Sequence, residues 1–187
     1  MVGKRLGMLI GGAICAAAIS ACGAGEHASY SDNLGPGYVQ VGQLYYQVQI
    51  SRQLNQWGDE DRYYLQGYSA SELALPVADE WFGVSMQVYN WTNRPHTPTG
   101  EFFITDSLGD RYAPLTGGTP NPYTYVPALI PAGGQLPAID SDAYTGWSQG
   151  ELLIFKIPYT SLVNRPFTLH IVNPADTAKQ SRIELDV

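Results

Sequence analysis

Side chains able to do covalent or ligand chemistry are few in this sequence, and their spacing excludes more than it allows. The two thiols are Cys15 and Cys22, so everything beyond residue 22 lacks a sulfur for nucleophilic attack, metal binding or a disulfide. Histidine occurs three times: His27 in a run of small residues, His96 in a loop rich in Asn, Thr and Pro, and His170 in a strand-like run. His170 alternates out of the row Phe167, Leu169, Ile171 and reads as a surface or edge histidine. No Gly-x-Ser-x-Gly elbow is present. A Ser-His-Asp triad is defined by geometry rather than by order along the chain, but no motif points to one, and no catalytic residue is expected.

Carboxylates cluster at Asp59-Glu60-Asp61, at Asp106 with Asp110, and at Asp140 with Asp142. None has the spaced oxygen ligands, central Gly and closing Glu of a calcium loop. They read as solvated loop carboxylates, with no metal and no cofactor expected. Aromatic residues offer the other chemistry. Trp57, Tyr63, Tyr64 and Tyr68 flank the acidic loop, while Tyr123, Tyr125, Tyr144 and Trp147 lie in a Pro/Gly-rich stretch. Those that reach the surface together could form a platform for a glycan or a peptide. Core packing and tyrosine-rich turns account for most of them without that assumption. The binding residues expected from this reading are Trp57, Tyr63, Tyr64, Tyr123, Tyr125 and Trp147.

Cys22 has the most specific context. Lys4 and Arg5 precede an uncharged run from Leu6 to Ala18, and Ile19-Ser20-Ala21-Cys22 closes it. About 15 apolar residues fall short of the roughly 20 that span a bilayer, which favours a cleaved export signal over a permanent helix. The last four residues resemble the lipobox of bacterial lipoproteins, which implies a thioether from Cys22 to diacylglycerol and a mature chain beginning there. Two or more acyl chains anchor stably where one is marginal, at about 0.8 kcal/mol per buried methylene. Cys15 is a poor rival, because Ile14 would crowd the scissile bond. An ordinary signal cut after Ala21 or Ala24, or a plain anchor helix, are the alternatives. The expected localisation is the extracytoplasmic face of the cell membrane, lipid-anchored.

The chain has 187 residues, enough for one domain with a real core beyond such a signal. Ten Lys and Arg, two of them in the signal, stand against seventeen Asp and Glu that all lie beyond it. The mature formal charge of −9 argues against nucleic acid as a partner, since phosphate neutralisation needs cations. Neutral or cationic partners suit it better.

The elements that must position these groups read as strands. Thirteen Tyr, four Trp, thirteen Pro and twenty Gly make a β-protein composition. Residues 22–37 hold too few large apolar groups to order themselves and read as a flexible tether. From 43 to 52, Leu44, Tyr46, Val48 and Ile50 alternate with Tyr45, Gln47, Gln49 and Ser51, so the first set is expected to face inward. Ser69 to Glu72 could cap one turn of helix. From 81 to 91, Phe82, Val84, Met86 and Val88 face one way and Trp81, Ser85, Gln87 and Tyr89 the other. Strands follow at 101–105, 111–113, 151–158, 166–172 and 182–187, with a turn at 106–110. The stretch 114–150, with six Pro and with Gly117, Gly118, Gly133 and Gly134 among its turns, excludes helix over most of its length. About seven strands with no long amphipathic helix predict an all-β, immunoglobulin-like antiparallel β-sandwich over residues 38–187, behind a signal peptide at 1–21 and a tether at 22–37.

The order of motifs resembles a family, the DUF4352-type immunoglobulin-like lipoproteins of actinobacterial and other Gram-positive cells, with their MPT63-like secreted antigens. The matching pieces are Tyr45-Tyr46-Gln47-Val48, Val84 to Asn90, and Phe102-Phe103-Ile104-Thr105-Asp106 with Gly109 and Tyr112. Later come Leu129-Ile130-Pro131 with Gly133, Gly150 before Leu152 to Pro158, and Pro166 to Ile171. The resemblance implies an exported, often lipid-anchored sandwich with no active site to carry over. The function expected is that of a non-enzymatic envelope lipoprotein, tied to the membrane by its N-terminal lipid, that presents loops to an envelope protein or a cell-wall glycan. The alternative is a small-ligand or glycan-binding module that uses the loop aromatics.

Overall fold

A computed structural model describes residues 29–31 and 37–185. The signal peptide expected over 1–21 and the lipidation site expected at Cys22 lie outside the described residues. Where the period-two runs predict strands, strands form: β3 (Leu44–Leu54), β4 (Asp79–Tyr89), β5 (Phe102–Thr105), β8 (Glu151–Pro158), β9 (Phe167–Val172) and β10 (Gln180–Leu185). Four short strands join them: β1 (Ser29–Ser31), β2 (Val39–Val41), β6 (Arg111–Tyr112) and β7 (Gln135–Leu136).

They build the expected immunoglobulin-like β-sandwich. One sheet has the order β1-β10-β9-β5-β6; in the other, β2-β3-β4 continues to β7 and β8, which share the free side of β4. The core between them holds Tyr46, Phe82, Val84, Met86 and Val88 from one side and Ile104, Phe167, Leu169, Ile171, Ile183 and Leu185 from the other. Phe82 meets Phe167 edge-on at 5.7 Å, a geometry that adds to area burial.

Ser29–Ser31, inside the stretch expected to be tether, departs from the antiparallel plan. It pairs in parallel with β10, Ser29 opposite Arg182 and Ser31 opposite Glu184. An open strand edge offers backbone N–H and C=O groups, so a segment with little apolar surface can still pair there.

β3 supplies the other departure. A bulge interrupts its register between Val48 and Ile50, after which Ile50 stands opposite Ser85, Arg52 opposite Gly83 and Leu54 opposite Trp81. One extra residue reverses the phase of the pleat. Ile50, expected to point inward, therefore shares the outer face with Arg52 and Leu54. Alternation also fails to tell how β4 is covered. Trp81 and Ser85, on the face opposite the main core, are fully buried.

A second apolar cluster explains this. Leu54, Tyr64, Leu65, Trp81, Leu152 and Ile154 pack together on the outer face of the β3-β4-β8 sheet, with Tyr68, Leu73, Leu75, Leu115 and Tyr123 against them. Its lid is made of two irregular segments, 61–76 and 114–125. The first carries the four-residue helix α1 (Asp61–Tyr64). At Ser69 the expected cap does form: Ser69 N–H donates to Glu72 Oε2 at 2.6 Å and Glu72 N–H to Ser69 Oγ at 3.3 Å. A single turn follows, Leu73 N–H to Ser69 O at 2.9 Å, and Pro76 blocks its extension.

Candidate functional site

The bulge, α1 and a hook before β8 together build the most developed surface site among the described residues. Because the bulge turns Arg52 outward, its guanidinium meets α1. Arg52 Nη1 donates to Asp61 Oδ2 at 3.0 Å, Nη2 donates to Asp61 Oδ1, and Nη2 reaches Glu60 Oε1 at 3.3 Å. Asp61, itself buried, also accepts the Asn55 N–H at 2.7 Å. The fork geometry matches a carboxylate on two bonds at once. Tyr64 donates its hydroxyl to Glu60 Oε1 at 2.7 Å. Burial, and then the Glu60 carboxylate beside it, hold the Tyr64 phenol protonated well above the ordinary range.

A four-residue helix cannot stand by itself. What holds α1 is this ion pair together with Tyr64 and Leu65 in the second cluster. Asn121 adds a clasp, its side-chain amide donating to the carbonyls of Tyr63, Tyr64 and Gln66 at 3.3, 3.1 and 2.9 Å. The Pro/Gly-rich stretch is thereby bound to the acidic loop, and Tyr123 meets Tyr64 edge-on at 5.1 Å.

The third component presents Trp147. Helix α2 (Asp142–Thr145) starts at Ser141, whose hydroxyl accepts the Tyr144 N–H at 3.2 Å. Beyond it, the Ser85 hydroxyl donates to Ser148 O, the Gln87 amide to Gln149 O, and the Ser148 hydroxyl to Gly150 O at 3.0 Å. Gln149 adopts φ 50°, which an L side chain tolerates only where its surroundings enforce it. So Trp147 is 79% exposed on a backbone pinned from both sides. The indole is thus presented to solvent rather than to the core.

These parts converge. Asp59, Glu60, Tyr63, Tyr64, Tyr123 and Trp147 line an open cleft of about 320 Å³. Trp147, Asp59 and Glu60 also line a second cleft of about 450 Å³, together with Ile50, Arg52 and Asn55. Of the six aromatic residues expected to bind, four thus meet at one place. Tyr64 belongs half to the floor, being only 3% exposed.

Two do not join them. Tyr125 is buried in the main core, its ring edge-on to Phe102 at 5.1 Å and its hydroxyl donated to Thr99 O at 2.7 Å. It drops out as a binding residue because its apolar neighbours leave it no surface. Trp57 is 83% exposed but lies across the Arg52–Asp61 pair, in a separate depression with Leu75 and Trp81.

Asp106, in another of the carboxylate clusters, is taken up by the fold. Asp106 accepts the N–H groups of Leu108 and Asp110, the Tyr112 hydroxyl and the Asn164 amide. Burial opposes its charge, but these donors prevail and hold its carboxyl below the usual range. Among the described residues no three His, Cys, Asp or Glu gather as a metal site.

His170 is not the surface or edge histidine expected, since β9 lies between β10 and β5. It is buried on the outer face of the first sheet, stacked on Phe103 at 4.3 Å, with Thr105 Oγ1 2.8 Å from Nε2 and Gln180 Oε1 3.2 Å from Nδ1. Burial first, then the Arg182 charge, push it down to about 4. A flat aromatic neighbour in the same cross-strand row covers a side chain that alternation alone assigns to solvent.

No family model matches the chain, and no curated protein matches it. Solved structures do. The yjhA protein of Bacillus subtilis aligns at 11% identity over 80% of this chain and 97% of that one, with a TM-score of 0.50. The secreted protein MPT63 of Mycobacterium tuberculosis aligns at 14% identity over 84% and 96%, TM-score 0.49. An uncharacterised β-sandwich protein of Clostridium difficile aligns at 9% over 85% and 95%, TM-score 0.46. At such identities the likeness is one of fold alone.

Proposed function

We propose that this chain is an exported cell-envelope protein, held to the outer face of the membrane by acyl chains on Cys22, whose sandwich binds a cell-wall glycan at the Trp147 clefts without turning it over. The anchor is supported by the charged, apolar and lipobox-like segments of residues 1–22. The observation that carries the binding reading is the convergence of Tyr63, Tyr123 and Trp147 with Asp59 and Glu60 on two adjoining open clefts. An indole face stacks on the apolar face of a sugar ring, and carboxylates accept its hydroxyls. Two adjoining open clefts suit an extended polymer better than does the broad flat patch of about 800 Å² that a protein partner covers.

Retention of the chain on purified, insoluble cell-wall material tests this. Trp147→Ala is expected to lower retention at least tenfold with an unchanged melting temperature, while Trp57→Ala retains wild-type binding. Wild-type protein that passes through unretained, or a Trp147→Ala variant that binds like wild type, overturns the reading.

A further inference from the structure

The sandwich has two distinguishable ends, and the position of β1 says which one an anchor would hold down. β10 begins, β9 finishes and β5 begins at the same end, since Gln180 stands opposite Val172 and Phe102 opposite Ile171. The start of β3 lies there too: Tyr45 pairs with Tyr89, Tyr46 Oη accepts the N–H of Thr99, and Ser181 donates to Gln40 O just before the turn. Ser29, opposite Arg182, therefore enters the fold at this near end. Only residues 23–28 separate Ser29 from Cys22. Seven Cα steps reach at most about 25 Å, and β3 alone is about 36 Å long.

The near end carries aromatic groups that the clefts do not use. Trp91 contacts Tyr38 at 5.0 Å, Tyr45 at 4.3 Å and Tyr89 at 5.7 Å, and Tyr38 meets Tyr89 at 5.4 Å. Trp91 is 55% exposed and Tyr38 43%. The backbone around Trp91 is fixed, because the buried Asn90 donates its side-chain amide to the carbonyls of Arg94, Ile130 and Pro131 and accepts the Thr92 N–H. Exposed Leu129 and Arg94 sit on the two strands of chain so laced together.

We propose that this near end is a membrane-docking face, on which Trp91 and Tyr38 sit at headgroup depth with Leu129 beside them and Arg94 against lipid phosphate. Rings with an apolar body and a polar tip favour that depth. The proposal rests on the anchored reading above, because the short link to Cys22 is what brings this end to the bilayer. From Tyr45 to Arg52 is about 23 Å along β3, so docking there leaves the Arg52 side of the Trp147 clefts about that far from the docked end.

The test uses the chain extracted from its own membranes and reconstituted into phosphatidylglycerol vesicles with brominated acyl chains, with mass spectrometry of residue 22 alongside. Expected is quenching of tryptophan emission, more than half of it lost in Trp91→Phe and none lost in Trp147→Phe or Trp57→Phe. An acylated chain whose emission is not quenched, or whose quenching survives in Trp91→Phe, overturns docking and leaves the anchor standing. Emission that varies instead with protein concentration overturns it in favour of a contact between copies. An unacylated chain free of the vesicles overturns the anchor, and docking with it.

Discussion

Replacing Asp61 by Asn isolates the charge that ties α1 to the bulged half of β3. The amide keeps an oxygen for the Asn55 N–H, now 2.7 Å away, but loses the charge-assisted fork with Arg52. Breaking a fully buried pair costs about 3–5 kcal/mol. Here the carboxylate is buried, while the Arg52 side chain is 40% exposed and keeps Glu60 at 3.3 Å. A loss of about 2 kcal/mol follows, near the middle of the range for bonds to charged groups. For a domain of this size that lowers the melting temperature by about 4–8 °C. Thermal and urea unfolding read it, with an unchanged denaturant slope showing that stability alone has moved. Asp59→Asn is the control: its partner Arg62 and its own side chain are both exposed, so its effect stays within about 0.5 kcal/mol. Equal effects of the two variants, or an Asp61→Asn protein as stable as wild type, would refute the claim that this pair organises the site.

Two further predictions concern the frame around the clefts. Burial lifts the Glu151 carboxyl from 4.5 to about 7; the folded state then holds its proton longer than the unfolded chain, so stability falls as pH rises from about 4.5 to about 7 and levels off above. Glu151→Gln should remove up to roughly 3 kcal/mol of that decline; denaturation at pH 4.5 and pH 8 shows it, and an unchanged pH dependence would contradict the assignment. A Cβ at Gly150 would stand 2.6 Å from Met86 O, whereas one at Gly83 would meet only the flexible end of Leu54 at 3.0 Å. Gly150→Ala should therefore cost about 1–3 kcal/mol or more and Gly83→Ala clearly less; the reverse order in unfolding measurements would count against the packing described here.

Much of the frame could be read from periodicity, because β4, β9 and β10 obey period two along a buried face. The site could not, and each reason is local. The bulge at residue 49 has no compositional mark, yet it decides that Ile50, Arg52 and Leu54 face outward. Helices α1 and α2 are four residues each, too short for a 3.6 period to register. The second cluster draws on 61–76 and 114–125, where apolar residues are spaced irregularly and find each other only through the sheet beneath. Residue type did mark Tyr63, Tyr64, Tyr123 and Trp147, but type alone does not separate them from Tyr125. That distinction depends on which side of β8 the loop lays each ring. A signal that could have found the near-end cluster was present: Asn90 and Trp91 open a loop rich in Asn, Thr and Pro, a place where an Asn side chain organises the turn.

Trp147 is the proposed contact point for an extended envelope glycan, and its indole resonance in an isotope-labelled sample reports on that contact without an intermediary. On adding soluble cell-wall glycan fragments, the Trp147 Nε1–H signal should shift saturably. The Trp81 signal, from a buried indole that donates to Gln56 Oε1 at 3.3 Å, should stay where it is. A Trp147 signal unmoved at the highest fragment concentration, with the wild-type fold intact, would rule out a glycan contact at this indole.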